Sequence, residues 1–381
     1  MTTQASESYP RIDSPAFVLE ESKLIRNLEL IQRVRNEAGV EIILALKAVA
    51  LWHVFPLIRQ YLDGATASSL NEALLIQENM NEPAHVYIPS YSLRERERQA
   101  SCAQSIIFNS LGEYERHYAA FKSLNPSLKF GLRVNPGYSE IGTPLYDPAG
   151  PGSRLGIHRL TSIPEGITGL HFHALCENNS YTLERVLESF ESRYKDHLKH
   201  LEWVNFGGGH LMTEKSYDIP HLVQVLKNFR QRHPHLKIIL EPGSAVVWQT
   251  GFLKSKIQDV ITTPERKFLM LDISFTAHTP DCLEMPYNPV IRNADFGTNG
   301  PHVYHLGGSS CLAGDQLGPY SFDREMRVGD ELILEDMIHY TMVKTTMFNG
   351  VQHPDIGMID ISGEYRLFRQ FDYMDYKNRM G

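Results

Sequence analysis

Residues 203–244 read WVNFGGGHLMTEKSYDIPHLVQVLKNFRQRHPHLKIILEPGS. The run Trp203–Gly209 is apolar until it breaks at three consecutive glycines. The stretch Ile219–Arg232 carries helical apolar spacing, and Lys237–Gly243 is apolar again before Glu241-Pro242-Gly243. KIIL is continuous rather than alternating, as expected of a strand buried on both faces. Strand, helix and parallel strand form one βα unit.

The same rhythm runs upstream. Further runs occur at Val40–Ala48 (VEIILALKA), Gly64–Ser69, His85–Ser90, Ser105–Ser110, Lys129–Pro136 and Gly169–Ala174, making eight in all. Helix-length segments lie between them at Trp52–Leu62, Leu70–Met80, Gly112–Leu124 and Tyr181–His200. Eight β-then-α units over ~220 residues predict an α/β architecture, a (β/α)₈ TIM-like barrel spanning 21–243 that opens with a helix across Glu21–Ala38. The fifth unit departs from this rhythm, because a loop rich in Gly and Pro lies between Pro136 and Gly169. Long loops of this kind are either functional or without fixed structure.

After Gly243 the pattern changes. Phe268–Ser274, Val303–Ser310, Glu331–Asp336 and Tyr340–Phe348 read as strands separated by turns, without regular helices. They predict a second, mainly β domain made of 1–20 plus 244–381. The early strand Ser14–Leu19 joins it, so that the barrel is inserted into the chain of the β-domain.

Composition bounds the function. The chain has 381 residues, 42% hydrophobic and 22% charged, enough for two cores of an ordinary globular protein. Its net charge of −8 and lack of a basic stripe argue against nucleic-acid binding. No stretch approaches the ~20 apolar residues of a membrane span, and MTTQASESYP lacks a signal-peptide layout. Cys102, Cys176, Cys282 and Cys311 lie far apart with no Cys-x-x-Cys pair, and are read as free thiols of a cytoplasmic protein.

The chemistry of such barrels sits at the C-terminal strand ends. Lys47 ends the first strand after five apolar residues. There its amine is either a partly desolvated nucleophile suited to Schiff-base chemistry or the tip of a side chain reaching into water. Gly207, Gly208 and Gly209 end the seventh strand, either as a phosphate cradle or as a tight turn. Glu241 ends the eighth, as partner of a cationic ring nitrogen or as a loop ion pair. His171 and His173 share one face of the sixth strand. No third metal ligand follows them, and a flat ring packed on a cofactor suits His173 better. Arg133 near the end of the fifth strand contacts a cofactor or closes a surface pair. Together these are the parts a pyridoxal-phosphate enzyme needs.

With these pieces in place the chain resembles the alanine-racemase-type decarboxylases that use pyridoxal 5′-phosphate, among them ornithine and diaminopimelate decarboxylases. The matching segments are ALKA around Lys47, GLHFHALCEN, NFGGGH, LEPGS, SSCLAGD around Cys311 and EDMIHYTMVKTTMFNG, in order along nearly the whole chain. SSCLAGDQLGPYSF and TAHTPDCLEMPYNP are most similar to the branch acting on carboxynorspermidine and carboxyspermidine. The resemblance implies a barrel plus β-domain fold and a head-to-tail homodimer whose sites each combine one barrel with the partner's β-domain. It also assigns roles. Lys47 is the Schiff-base lysine, His173 stacks on the ring, Gly207–Gly209 hold the phosphate and Glu241 keeps the ring nitrogen protonated. Cys311 comes from the partner chain to protonate the α-carbon, and Tyr340 lies near the phosphate.

Ornithine-type relatives have EPGR where this chain has Glu241-Pro242-Gly243-Ser244, and an acid directly after the cysteine where Leu312 stands here. A polyamine substrate asks for carboxylates. The candidates are Asp281 and Asp315, with Asp272 third and Glu241 also facing the substrate; each is otherwise a solvated loop acid. The alternatives are a diaminopimelate or basic amino-acid decarboxylase, which Arg324 and Arg327 keep open, a racemase, a non-catalytic binding protein and a metal-dependent hydrolase.

Overall fold

The computed structural model describes residues 11–284 and 287–381. The stretch MTTQASESYP, and Met285 and Pro286 within TAHTPDCLEMPYNP, lie outside the described residues. The chain divides into two compact units, one of Met1–Arg26 with Val247–Gly381, the other of Asn27–Val246.

The strands in chain order are β1 (Ala16–Glu20), β2 (Glu41–Ile42), β3 (Leu44–Ala45), β4 (Ala65–Ala67), β5 (Ala84–Tyr87), β6 (Ala103–Phe108), β7 (Lys129–Arg133), β8 (Ile167–His171), β9 (Trp203–Asn205), β10 (Lys237–Leu240), β11 (Gly251–Thr262), β12 (Lys267–Leu271), β13 (Ala294–Phe296), β14 (His302–Gly307), β15 (Gln316–Phe322), β16 (Glu331–Glu335), β17 (Asp355–Ile359) and β18 (Tyr365–Arg369).

In the second unit β2 to β10 form one parallel sheet in the order β2-β10-β9-β8-β7-β6-β5-β4-β3. β2 and β3 are halves of one strand flanking Ile43, whose N–H donates to Leu240 O (2.9 Å) while Leu44 N–H donates to Gly64 O (2.9 Å). That strand is thus bonded on both sides, and the ring of eight closes as a (β/α)₈ barrel. Ile43, Tyr87, Ile107, Trp203 and Ile239 pack as one buried cluster. The Trp203 ring takes the room left by two glycines on neighbouring strands. A Cβ on Gly131 would come within 2.4 Å of it, and one on Gly169 within 2.0 Å.

The helices between the strands show conventional start signals. Ser69, Ser110, Asn179 and Asp218 each cap a helix by accepting from backbone N–H groups of its first turn. Two segments differ from the sequence reading. Trp52–Leu62 is a 3₁₀ turn, Trp52–Val54, followed by the short helix Phe55–Ile58, and Arg96–Cys102 is a helix not expected from the spacing. The Pro136–Gly169 loop is anchored where it returns to the barrel. Ile157 N–H donates to Arg133 O (2.9 Å), and Gly156 N–H donates to the side chain of Asn109 (2.7 Å).

The other unit is built on a mixed sheet ordered β13-β15-β14-β12-β11-β1-β17-β18, with β16 also on β11. β1 runs antiparallel to β11 and parallel to β17, so the early strand belongs to this sheet. Ile12, Ala16, Val18 and Phe252 form its core cluster. The expectation of no regular helices is corrected by Phe275–His278, Pro280–Glu284, Thr341–Lys344 and a terminal helix, Tyr373–Met380, started by an Asp372/Asp375 capping box. Tyr340–Phe348 is not a strand. The chain turns at Tyr340 (φ 44°) and Asn349 (φ 57°), left-handed conformations that a strand cannot contain.

Candidate active site

The barrel's strand ends gather the expected groups. Lys47 lies in the turn just after β3, Arg133 and His171 are the last residues of β7 and β8, and Glu241 follows β10. The first and eighth strands meet closely here. Ala45 N–H donates to Pro242 O (3.0 Å), and Gly243 packs against Ala48, whose Cβ would lie 2.6 Å from any Cβ placed there. Only glycine fits between ALKA and EPG.

His173 and the glycine run are equally close. Gly207 (φ 69°) and Gly209 (φ 88°) have left-handed backbones. A Cβ on Gly207, Gly208 or Gly209 would meet the carbonyl oxygens of Phe172, Glu241 and Leu175 at 2.6, 2.2 and 2.0 Å respectively. The loop is therefore glycine because backbone packs on backbone. Gly208 N–H donates to His173 Nδ1 (3.1 Å), which assigns the ring proton to Nε2. That Nε2 lies 3.3 Å from Lys47 Nζ. An N–H facing an amine attracts it only if the amine offers a lone pair, so this geometry selects the free base of Lys47. The electrostatics agree. Although Lys47 is accessible from the mouth, desolvation of its amine, and next the charge of Arg133, lower its pKa below the ordinary lysine value; Glu241 opposes this. Burial above all, with the charge of Arg133 adding to it, pushes His173 well below the usual imidazole range, keeping the ring neutral.

Glu241 is buried at 8% exposure. Asn205 Nδ2 donates to its Oε1 (2.7 Å), Asn205 Oδ1 accepts Gly207 N–H (2.8 Å), and Glu241 N–H donates to Gly207 O (2.8 Å). One asparagine thus ties the carboxylate to the glycine loop. Desolvation raises the Glu241 pKa, with the Asn205 hydrogen bond opposing it. The Thr66 side chain hydrogen-bonds the same carboxylate, which, buried in that condition, gains from a neighbouring cation. Arg133 is buried with its guanidinium 4.6 Å over the Tyr87 ring, and its Nη2 lies 3.5 Å from His173 O.

These features fit pyridoxal phosphate: a free-base lysine, a neutral flat imidazole beside it, a glycine loop with left-handed backbone, and a buried carboxylate suited to a cationic ring nitrogen.

The remaining groups belong to the sheet unit. Cys311 is exposed in the loop between β14 and β15, and its N–H donates to Asn349 Oδ1 (2.9 Å). Asp315 is buried and accepts Thr276 N–H and Ser310 N–H, both at 3.0 Å. Each oxygen accepts one backbone N–H, so the carboxylate braces the Cys311 loop. Asp272 accepts Ser14 and Ser255 hydroxyls (2.7 Å each) and Lys256 N–H (2.9 Å), and likewise holds this unit together. Asp281 differs. Its Oδ2 accepts Tyr287 (3.0 Å) and Thr341 (2.8 Å), whereas Oδ1 is buried without a hydrogen-bond partner among the described residues. Tyr340, half-buried, immediately precedes that Thr341. Arg324 is paired with Asp330 (2.7 Å).

Sequence reading missed Asn205, Thr341 and Asn349. Asn205 had a signal, since it lies two residues before Gly207 and alternation puts such pairs on one face.

Residues 60–338 match the family described as pyridoxal-dependent decarboxylase, C-terminal sheet domain. The chain is a member of the pyridoxal-dependent decarboxylases, and pyridoxal phosphate is its cofactor. It is 51% identical over 373 residues to a carboxyaminopropylagmatine decarboxylase of Synechocystis, covering 97% of this chain and 96% of that one. It is 39% identical to a carboxynorspermidine/carboxyspermidine decarboxylase of Campylobacter jejuni, covering 97% and 99%. A crystal structure of carboxynorspermidine decarboxylase from Campylobacter jejuni, complexed with norspermidine, superposes with a TM-score of 0.89 at 38% identity, covering 97% of this chain and all of that one. Diaminopimelate decarboxylase structures at 16–20% identity share the fold.

Proposed function

We propose that this decarboxylase acts on a carboxylated polyamine, carboxynorspermidine or carboxyspermidine, releasing CO₂ to give norspermidine or spermidine in polyamine biosynthesis. The observation that carries the substrate class is the full-length match to a structure complexed with norspermidine. Within this chain Asp281 supports it: a buried carboxylate with one unsatisfied oxygen suits an ammonium group and repels the second carboxylate of diaminopimelate. The relative at 51% identity favours a second reading, carboxyaminopropylagmatine, whose tail ends in a planar guanidinium rather than a compact ammonium.

Pyridoxal phosphate, when bound, supplies an electrophilic carbonyl and a protonated ring that takes up the electron pair left as CO₂ departs. Lys47, as free base, would hold the cofactor through its amine. Arg133, His173 and Gly207–Gly209 would hold the ring and phosphate, with Tyr340 near the phosphate. Glu241 would keep the ring nitrogen protonated. The Cys311 thiol would return a proton to the α-carbon, from the partner chain of a homodimer. The four free thiols support a reducing, cytoplasmic setting.

The test is CO₂ release by the purified protein with pyridoxal phosphate from carboxynorspermidine, carboxyspermidine, carboxyaminopropylagmatine, meso-diaminopimelate and ornithine. Release from the first two at the highest kcat/KM supports the proposal. A maximum at carboxyaminopropylagmatine selects the second reading, and release only from diaminopimelate or ornithine overturns both.

A further inference from the structure

Among the described residues, His171 is a buried imidazole with neither ring nitrogen hydrogen-bonded. A neutral imidazole always carries one N–H, and a buried N–H without an acceptor is a cost that native structures rarely leave standing. A carboxylate acceptor lies nearby. His171 Nε2 lies 3.7 Å from Glu241 Oε2, the oxygen that Asn205 does not occupy. On its other side the ring meets the edge of Tyr87, centroids 5.3 Å apart, and Tyr87 itself carries the Arg133 guanidinium on its face. Burial, and next the nearby charge of Arg133, keep His171 neutral.

We propose that His171 is a positioning residue for Glu241: its Nε2–H is directed at Oε2 and, with Asn205 on Oε1, it holds the carboxylate ionised and aimed at the cofactor's ring nitrogen. Nδ1 is then a bare lone pair, which costs less to bury than an unmatched N–H. The inference rests on the reading that Glu241 meets that nitrogen. It explains why two histidines occupy one face of β8 and its extension: His173 addresses Lys47, and His171 addresses the carboxylate across the barrel.

A double-mutant cycle on the full-length protein tests it. The readouts are pyridoxal-phosphate affinity, from quenching of protein fluorescence, and the visible absorbance of the bound cofactor, neither of which depends on the substrate. His171→Phe keeps the ring volume and removes the donor; His171→Gln restores a donor. In the otherwise native chain His171→Phe is expected to weaken cofactor affinity about tenfold, the scale on which outer-shell hydrogen-bond partners act, and to shift the absorbance, while Gln recovers most of both. In a Glu241→Gln background the same change should have little further effect, because the group it positions is gone. Equal effects in both backgrounds, or loss of affinity in Gln and Phe alike with a parallel fall in Tm, make His171 a packing residue and overturn the proposal. If Glu241→Gln itself binds and absorbs as the native protein does, the assignment of Glu241 fails and the proposal with it. CO₂ release from the substrates named above is scored separately, so an error in substrate identity leaves this result standing.

Discussion

The barrel unit and the sheet unit prepare their functional groups in opposite ways. In the barrel, Arg133, His171 and Glu241 are buried, and desolvation is the largest influence on the pKa of each, as it is for Lys47 at the mouth. The chemistry follows from low dielectric and from hydrogen bonds such as Gly208 to His173 and Asn205 to Glu241. In the sheet unit Cys311 is exposed, and what is fixed is its loop, through Asn349 and Asp315. A group that must be a free base or a buried anion is set by its surroundings. A group that delivers a proton from a surface loop is set by position.

If that contrast is right, changes in the barrel should alter cofactor chemistry, while changes around Cys311 should alter turnover with the cofactor untouched. The largest effect is expected for Lys47→Ala, which should lower CO₂ release by more than about a thousandfold and abolish the visible absorbance of the bound cofactor. Cys311→Ala should cost about a hundredfold in kcat with that absorbance unchanged. Asn349→Ala, which frees the Cys311 N–H, should cost about tenfold in kcat with KM and cofactor affinity near native; a change in affinity instead would erase the distinction between the two regions.

Smaller effects sharpen it. Capture of the cofactor needs the Lys47 amine unprotonated, so a lowered pKa extends capture to more acidic pH. Arg133, after burial, lowers that pKa; Arg133→Met should therefore move the pH profile of cofactor capture by the apo-protein to higher pH and slow capture near neutrality. Gly169→Ala, far from the mouth chemistry, should press a Cβ into the Trp203 ring and cost about 1–3 kcal/mol, read as a fall in Tm with native cofactor absorbance.

The barrel was legible because its strands are buried on both faces and read as continuous apolar runs, and because a strand's end marks the mouth. Lys47, His173 and Glu241 can be picked out from those ends alone. Trp52–Leu62 misled because Pro56 interrupts a helical pattern of apolar residues. β11, at twelve residues the longest strand described, went unseen because Lys254, Ser255, Lys256, Gln258 and Asp259 break up its apolar residues and its second half is largely exposed. Tyr340–Phe348 looked like a strand from its aromatic and β-branched content, whereas two left-handed residues turn it around Cys311 and Asp281. Asp315 and Asp281 were equivalent loop acids in sequence. Only the hydrogen bonds separate the one that braces backbone from the one with an oxygen to spare.

The most direct test of the central claim, that a barrel and its partner's Cys311 loop make one site, is complementation between the two halves. Lys47→Ala and Cys311→Ala chains carrying different tags would be co-expressed, and the mixed dimer purified through both tags. With shared sites one of its two centres has both groups intact, and the account predicts about half the native activity from two nearly inactive parents. Activity no higher than that of the parents would contradict it.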